Sequence, residues 1–119
     1  MPEFRRDTID YGENRVYTFR SSWETNFSYY LEWMKGRGEI KDWEYEPERI
    51  VWLGGSYLPD FKVWRNDGTY YFVEIKGKPQ GIRKFKRAQK ERKGIRFELW
   101  DRVAYMELKK KLGKICNFV

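Results

Sequence analysis

Asp60, Glu74 and Lys76 bring two carboxylates and an ammonium to the ends of a stretch that otherwise reads as a β-hairpin, LPDFKVWRNDGTYYFVEIKG over 58–77. Alternating runs flank Asn66-Asp67-Gly68, which has the composition of a turn. If those residues form a three-residue loop with Gly68 left-handed, Arg65 faces Thr69, and counting back sets Asp60 opposite Glu74. Directly opposed residues have Cβ atoms about 4.5–5.5 Å apart, near enough for two carboxylates to share one cation. Side chains alternate, so Glu74 and Lys76 share one face, while Tyr71, Val73 and Ile75 take the other with Phe61 and Val63. A two-residue loop would move Asp60 to the opposite face, so the arrangement depends on the turn. Two carboxylates together without a cation raise one pKa or cost stability; a divalent cation removes the conflict, and Lys76 partly offsets it. The bland alternative is an Asp that follows a turn proline and an exposed Glu–Lys strand pair.

The rest of the composition narrows the chemistry. The chain has 119 residues, enough for a single domain with its own core. It contains no histidine and one cysteine, Cys116, which excludes His-based acid–base catalysis, His-ligated metals, an internal disulfide and a multi-cysteine zinc site. Any metal is therefore held by oxygens, as magnesium, manganese or calcium are. The net charge of +7 is uneven: residues 1–75 hold 10 Lys/Arg against 14 Asp/Glu, and residues 76–119 hold 15 against 4. A basic half beside an acidic cluster suits a polyanionic partner and a bridging cation, although any single charge run is more often a solvated face. No run approaches transmembrane length and no signal peptide is visible, which predicts a soluble cytoplasmic protein without membrane association.

These residues need a scaffold. Ser21 and Glu24 have capping-box spacing, and Trp23, Phe27, Tyr30, Leu31 and Met34 follow at helical intervals until Gly36 or Gly38. Strand-like runs occupy 43–46 and 49–53, interrupted at Pro47 and ended by Gly54-Gly55. After the hairpin, a basic helix is predicted over 81–93, then a strand with Ile95, Phe97 and Leu99 alternating, then a helix over 102–112 capped by Asp101. Residues 1–19 are polar and mixed, with one short strand at 15–19. The order is helix, three antiparallel strands, helix, strand, helix. It predicts a single α/β domain over 1–119 whose mixed sheet gains its last strand by a crossover connection.

Pro59-Asp60, thirteen intervening residues, then Glu74-Ile75-Lys76 resembles the PD-(D/E)XK signature of metal-dependent nucleases. Arg20-Ser21-Ser22-Trp23-Glu24 resembles the first-helix motif of the phage endonuclease I and Holliday junction resolvase branch, and the likeness spans 20–77. The resemblance implies a restriction-endonuclease-like core. It implies magnesium, with manganese as a substitute, held by Asp60, Glu74 and the Ile75 carbonyl, with Glu24 as a further carboxylate of the site. It also implies that Lys76 orients the attacking water and offsets charge on the phosphate. Glu24 has a competing explanation as the third residue of the Ser21 capping box.

In the basic helix, Ile82, Phe85 and Ala88 form the inward stripe, and Lys84 and Arg87, with Lys78 before it, are candidates for DNA-backbone contacts. Gln89, at the edge of that stripe, either reaches the site or a phosphate, or is a buried, satisfied amide. Arg20 and Ser22 are further phosphate candidates. The absence of an evident base-reading helix predicts recognition of DNA shape. The activity implied is cleavage of branched DNA, a four-way junction above all, by a homodimer that cuts two strands, with residues 1–19 and the last helix, by elimination, candidates for the dimer contact and a prokaryotic or phage-infected cell as the setting. The alternatives are a nuclease of the same type acting on mismatched, nicked or restriction-type duplex, and a non-catalytic nucleic-acid-binding module.

Overall fold

Ser21, in extended conformation, caps the first helix by accepting the Glu24 N–H at 3.2 Å. That helix, α1 (Ser22–Gly36), buries Trp23, Phe27 and Leu31 on one side and is closed by the Gly38 and Glu39 N–H groups, which donate to the Lys35 and Met34 carbonyls. The computed structural model describes residues 7–75 and 79–112. Ahead of α1 lie β1 (Asp7–Asp10) and β2 (Val16–Phe19), an antiparallel hairpin of which the sequence indicates only the second strand. Four-residue strands of mixed polarity carry little periodic signal.

The main sheet has the order β3 (Asp42–Tyr45), β6 (Phe61–Trp64), β7 (Tyr70–Ile75), β8 (Arg96–Trp100). β6 runs antiparallel to both its neighbours, β3 and β7, and β8 joins parallel to β7, the mixed sheet expected from the sequence. Its crossover is α2 (Pro79–Glu91), which begins two residues before the predicted start, with Pro79 in the first helical position where its missing N–H costs nothing. The last helix is α3 (Arg102–Leu112), capped by Asp101, whose Oδ1 accepts the Ala104 N–H at 2.9 Å.

The hairpin loop settles the register. The Gly68 N–H donates to the Arg65 carbonyl and the Arg65 N–H to the Thr69 carbonyl, with Gly68 left-handed at φ +90°, so Asn66-Asp67-Gly68 is a three-residue loop. Trp64 then pairs with Tyr70 and Phe61 with Val73, and one further step along that register sets Asp60 against Glu74.

Both faces of the sheet are covered. Phe61, Val63, Val73 and Ile75 pack with Phe19, Trp23, Phe27 and Leu31 on one side, where Tyr105 and Leu108 of α3 complete the cluster. On the other, Phe72 packs with Phe85 and Ala88 of α2 and with Ile50 and Tyr57. Ile50 and Tyr57 belong to a separate two-stranded unit, β4 (Ile50–Trp52) and β5 (Gly55–Tyr57). The sequence predicts 43–53 as one interrupted strand ended by Gly54-Gly55. Instead, the backbone turns at Glu46, left-handed at φ 46°, and the second segment leaves the main sheet for a hairpin of its own. Among the described residues, no helix is long and apolar enough to cross a membrane.

Candidate active site

Asp60 directly precedes β6, and its carbonyl accepts the Glu46 N–H at 2.8 Å, extending the β3–β6 ladder by one residue. The side chain is 5% exposed, and Oδ2 accepts the Ile75 N–H across the strand pair at 2.8 Å. Glu74, half-buried on β7, accepts a hydrogen bond from the Tyr57 hydroxyl. Glu24 arrives from α1, 7% exposed, with Oε1 accepting both the Arg20 N–H at 2.9 Å and the Tyr45 hydroxyl at 2.8 Å. Glu24 thus contributes to the helix cap and borders the carboxylate pair.

The electrostatics bear out the crowding. Burial holds the Asp60 carboxyl well above its usual value, and the charges of Glu74 and Glu24 push it further; the Ile75 N–H and Arg20 work the other way. Glu74 is raised by burial as well, with the Tyr57 hydrogen bond opposing the shift and Glu24 adding to it. Such a pair holds a proton more tightly than two separate carboxyls. Arg20 is the nearby counter-charge: its guanidinium lies 2.7 Å from Glu46 and 3.8 Å from Asp60. The left-handed Glu46 backbone, uncommon for a residue with a Cβ, presents its carboxylate to that arginine.

Of the residues selected from the sequence, Glu24, Asp60, Glu74 and Arg20 are therefore gathered at one sheet end. Lys76 and Lys78 lie outside the described residues. Ser22, the first residue of α1, is half-buried. Lys84, Arg87 and Gln89 are exposed on α2, which removes the buried-amide alternative for Gln89; Arg87 also pairs with Glu91 at 3.6 Å. Sequence reasoning missed Tyr45, Tyr57 and Glu46. The two tyrosines look like ordinary core aromatics in sequence, since only their hydroxyls distinguish them and no spacing rule aims a hydroxyl.

Asp60 and Glu74 offer oxygen donors alone; burial first, and then neighbouring carboxylate charge, raises both, and a hard divalent cation would neutralise that charge. Among the described residues, no group of three acidic, histidine or cysteine side chains already stands in metal-ligand geometry.

Tyr57→Phe tests how Glu74 is held. The hydroxyl favours the charged carboxylate, so its loss is expected to move the Glu74 titration further upward, read by carbon NMR of the side-chain carboxyl. An unmoved or lowered titration would show that the contact does not govern Glu74.

No protein-family model matches the chain, and no curated protein matches its sequence.

Proposed function

We propose that this protein is a magnesium-dependent endodeoxyribonuclease of the PD-(D/E)XK type, with a restriction-endonuclease-like core, that cleaves branched DNA as a Holliday junction resolvase. The observation that carries this reading is the buried Asp60 facing Glu74 at the end of the hairpin, both with raised proton affinity, in a chain that continues into the basic α2. A pure binding module gains nothing from carboxylates turned towards phosphate.

Asp60 and Glu74, with the Ile75 carbonyl and Glu24, are the residues that would hold magnesium or manganese. Bound there, the ion supplies Lewis acidity to the scissile phosphodiester and to its attacking water. The protein's own contribution is positional. The Ile75 N–H orients Asp60, the Tyr57 hydroxyl orients Glu74, and the Tyr45 hydroxyl and Arg20 N–H orient Glu24. Lys76 has the sequence position to align the water and to balance charge on the phosphate. The exposed cations of α2, Lys84 and Arg87 among them, meet the DNA backbone without regard to sequence, with Lys78 and Gln89 as further contacts. Symmetric cutting of a junction requires two such sites, hence a homodimer.

Cleavage of a four-way junction and of a linear duplex of equal length, each with magnesium and with EDTA, tests the proposal. The expected result is metal-dependent cutting with strong preference for the junction. Equal cutting of both DNAs would redirect the specificity towards ordinary duplex, and salt-sensitive binding with no cleavage would remove the enzymatic reading altogether.

A further inference from the structure

Leu53 is fully exposed at the tip of the β4–β5 hairpin, and Val51 beside it is 70% exposed. The two point away from the layer that buries Ile50 and Tyr57, so they contribute nothing to the core. One exposed leucine would be ordinary, but here two apolar side chains, Leu53 and Val51, stand bare together on one short protrusion beside a basic helix.

The tip is also stiff. Trp52 and Gly55 pair across a two-residue turn, Leu53-Gly54, in which Gly54 takes φ +90°. A Cβ at Gly55 would come within 2.8 Å of the Trp52 Nε1, so a side chain there would displace the indole that lies across the hairpin backbone. On its other flank, the Arg87 guanidinium of α2 sits 5.4 Å from the centre of the Trp52 rings. The indole is thereby fixed against both hairpin and basic helix. At the opposite end of β5, about 7 Å further along the strand, Tyr57 holds Glu74.

We propose that Leu53 is an apolar wedge that enters an unstacked base step of branched DNA beside the scissile phosphate, an inference that rests on the nuclease reading of the neighbouring carboxylates. Apolar side chains on rigid protrusions are a recurrent means of opening base steps, and a branch point supplies a step that is already partly unstacked. Charge selects DNA over another copy of the chain as the occupant. Arg87 lies beside the tip, Arg49 at the base of the same hairpin is exposed and donates to the Ser56 hydroxyl at 3.2 Å, and α2 adds Arg83, Lys84, Lys86 and Lys90 on its exposed side. A second copy would bring the same cations against these, whereas phosphates on either side of an opened step neutralise them. Because one short strand joins the tip to Tyr57, the wedge also sets the distance between a branch point and Glu74.

The test uses the full chain, in EDTA so that no strand is cut, with a four-way junction carrying 2-aminopurine at the branch point and a linear duplex as competitor. Wild-type protein is expected to raise the 2-aminopurine fluorescence as the base unstacks. Leu53→Ser, a change at a position with no buried contact, is expected to lose most of that rise and to lower the junction-over-duplex preference by about tenfold, the usual scale for one lost stacking contact. Leu53→Phe is expected to restore both. If wild type binds the junction but Leu53→Ser has the same fluorescence and preference, the wedge is overturned and the nuclease reading stands. If wild type binds neither DNA, in EDTA or with calcium in place of magnesium, both fall. Self-association that Leu53→Ser abolishes would assign the tip to a second copy instead.

Discussion

Asp60→Asn is expected to make the metal-free protein more stable and, on the proposed function, to remove DNA cleavage. Asp60 is a buried acid whose proton affinity is raised by burial and by two neighbouring carboxylates. A folded-state pKa above the unfolded value means that stability is greatest below the ordinary aspartate range, near pH 3.9, and is lost as pH rises through the folded value. At neutral pH the wild type therefore carries a penalty that asparagine does not, and the asparagine oxygen can still accept the Ile75 N–H. The gain should be on the order of 1 kcal/mol, a rise of about 4 °C in melting temperature for a domain of this size. On the proposed function, the same substitution removes a metal-ligating charge and lowers junction cleavage by roughly 10³-fold, equivalent to about 4 kcal/mol of barrier. Magnesium should raise the melting temperature of the wild type and leave the variant's nearly unchanged. A variant that melts lower than wild type at neutral pH, or that cuts at full rate, would sink the assignment.

Phe61→Ala is expected to have the largest effect on stability. Phe61 is fully buried, and its ring lies 5.2 Å from that of Phe27, 5.3 Å from Tyr45 and 6.0 Å from Trp43, centre to centre. Truncating a phenylalanine so enclosed costs about 3–5 kcal/mol through lost burial and the cavity left behind. Total stability for a domain is about 5–15 kcal/mol, so the loss takes a large share of it. Urea unfolding followed by circular dichroism reads the effect as a fall in midpoint with little change in slope. A loss below about 1 kcal/mol would mean that the cluster closes around the gap and that Phe61 is not its centre.

What was legible in the sequence was local. Asn66-Asp67-Gly68 declares its turn, and the turn carries the register that brings Asp60 to Glu74. Ser21 and Glu24 declare the start of α1 in the same way, and alternation at Phe97 and Leu99 marks β8. Where three-residue strands are involved, periodicity has nothing to count: β4 and β5 form a separate hairpin, although Gly54-Gly55 reads as the end of a strand. The hydroxyls that hold the carboxylates were invisible for another reason. Tyr45 and Tyr57 satisfy the pattern of a core residue, and only the three-dimensional packing shows that each places its polar end on an acid.

The two apolar clusters lie on opposite faces of the sheet, and the carboxylates are divided between them. Glu24 is anchored through α1 and Tyr45 to the first cluster, and Glu74 through Tyr57 to the second. Correct geometry at the site therefore requires both layers at once, as a logical conjunction does. The second cluster is the smaller, and partial opening of α2 and the β4–β5 hairpin would release Glu74 while the aromatic core around Phe61 stayed folded. Such an opening is expected to cost less free energy than unfolding, and hydrogen exchange reads it as amide protection that persists in β3 and β6 while it is lost from α2.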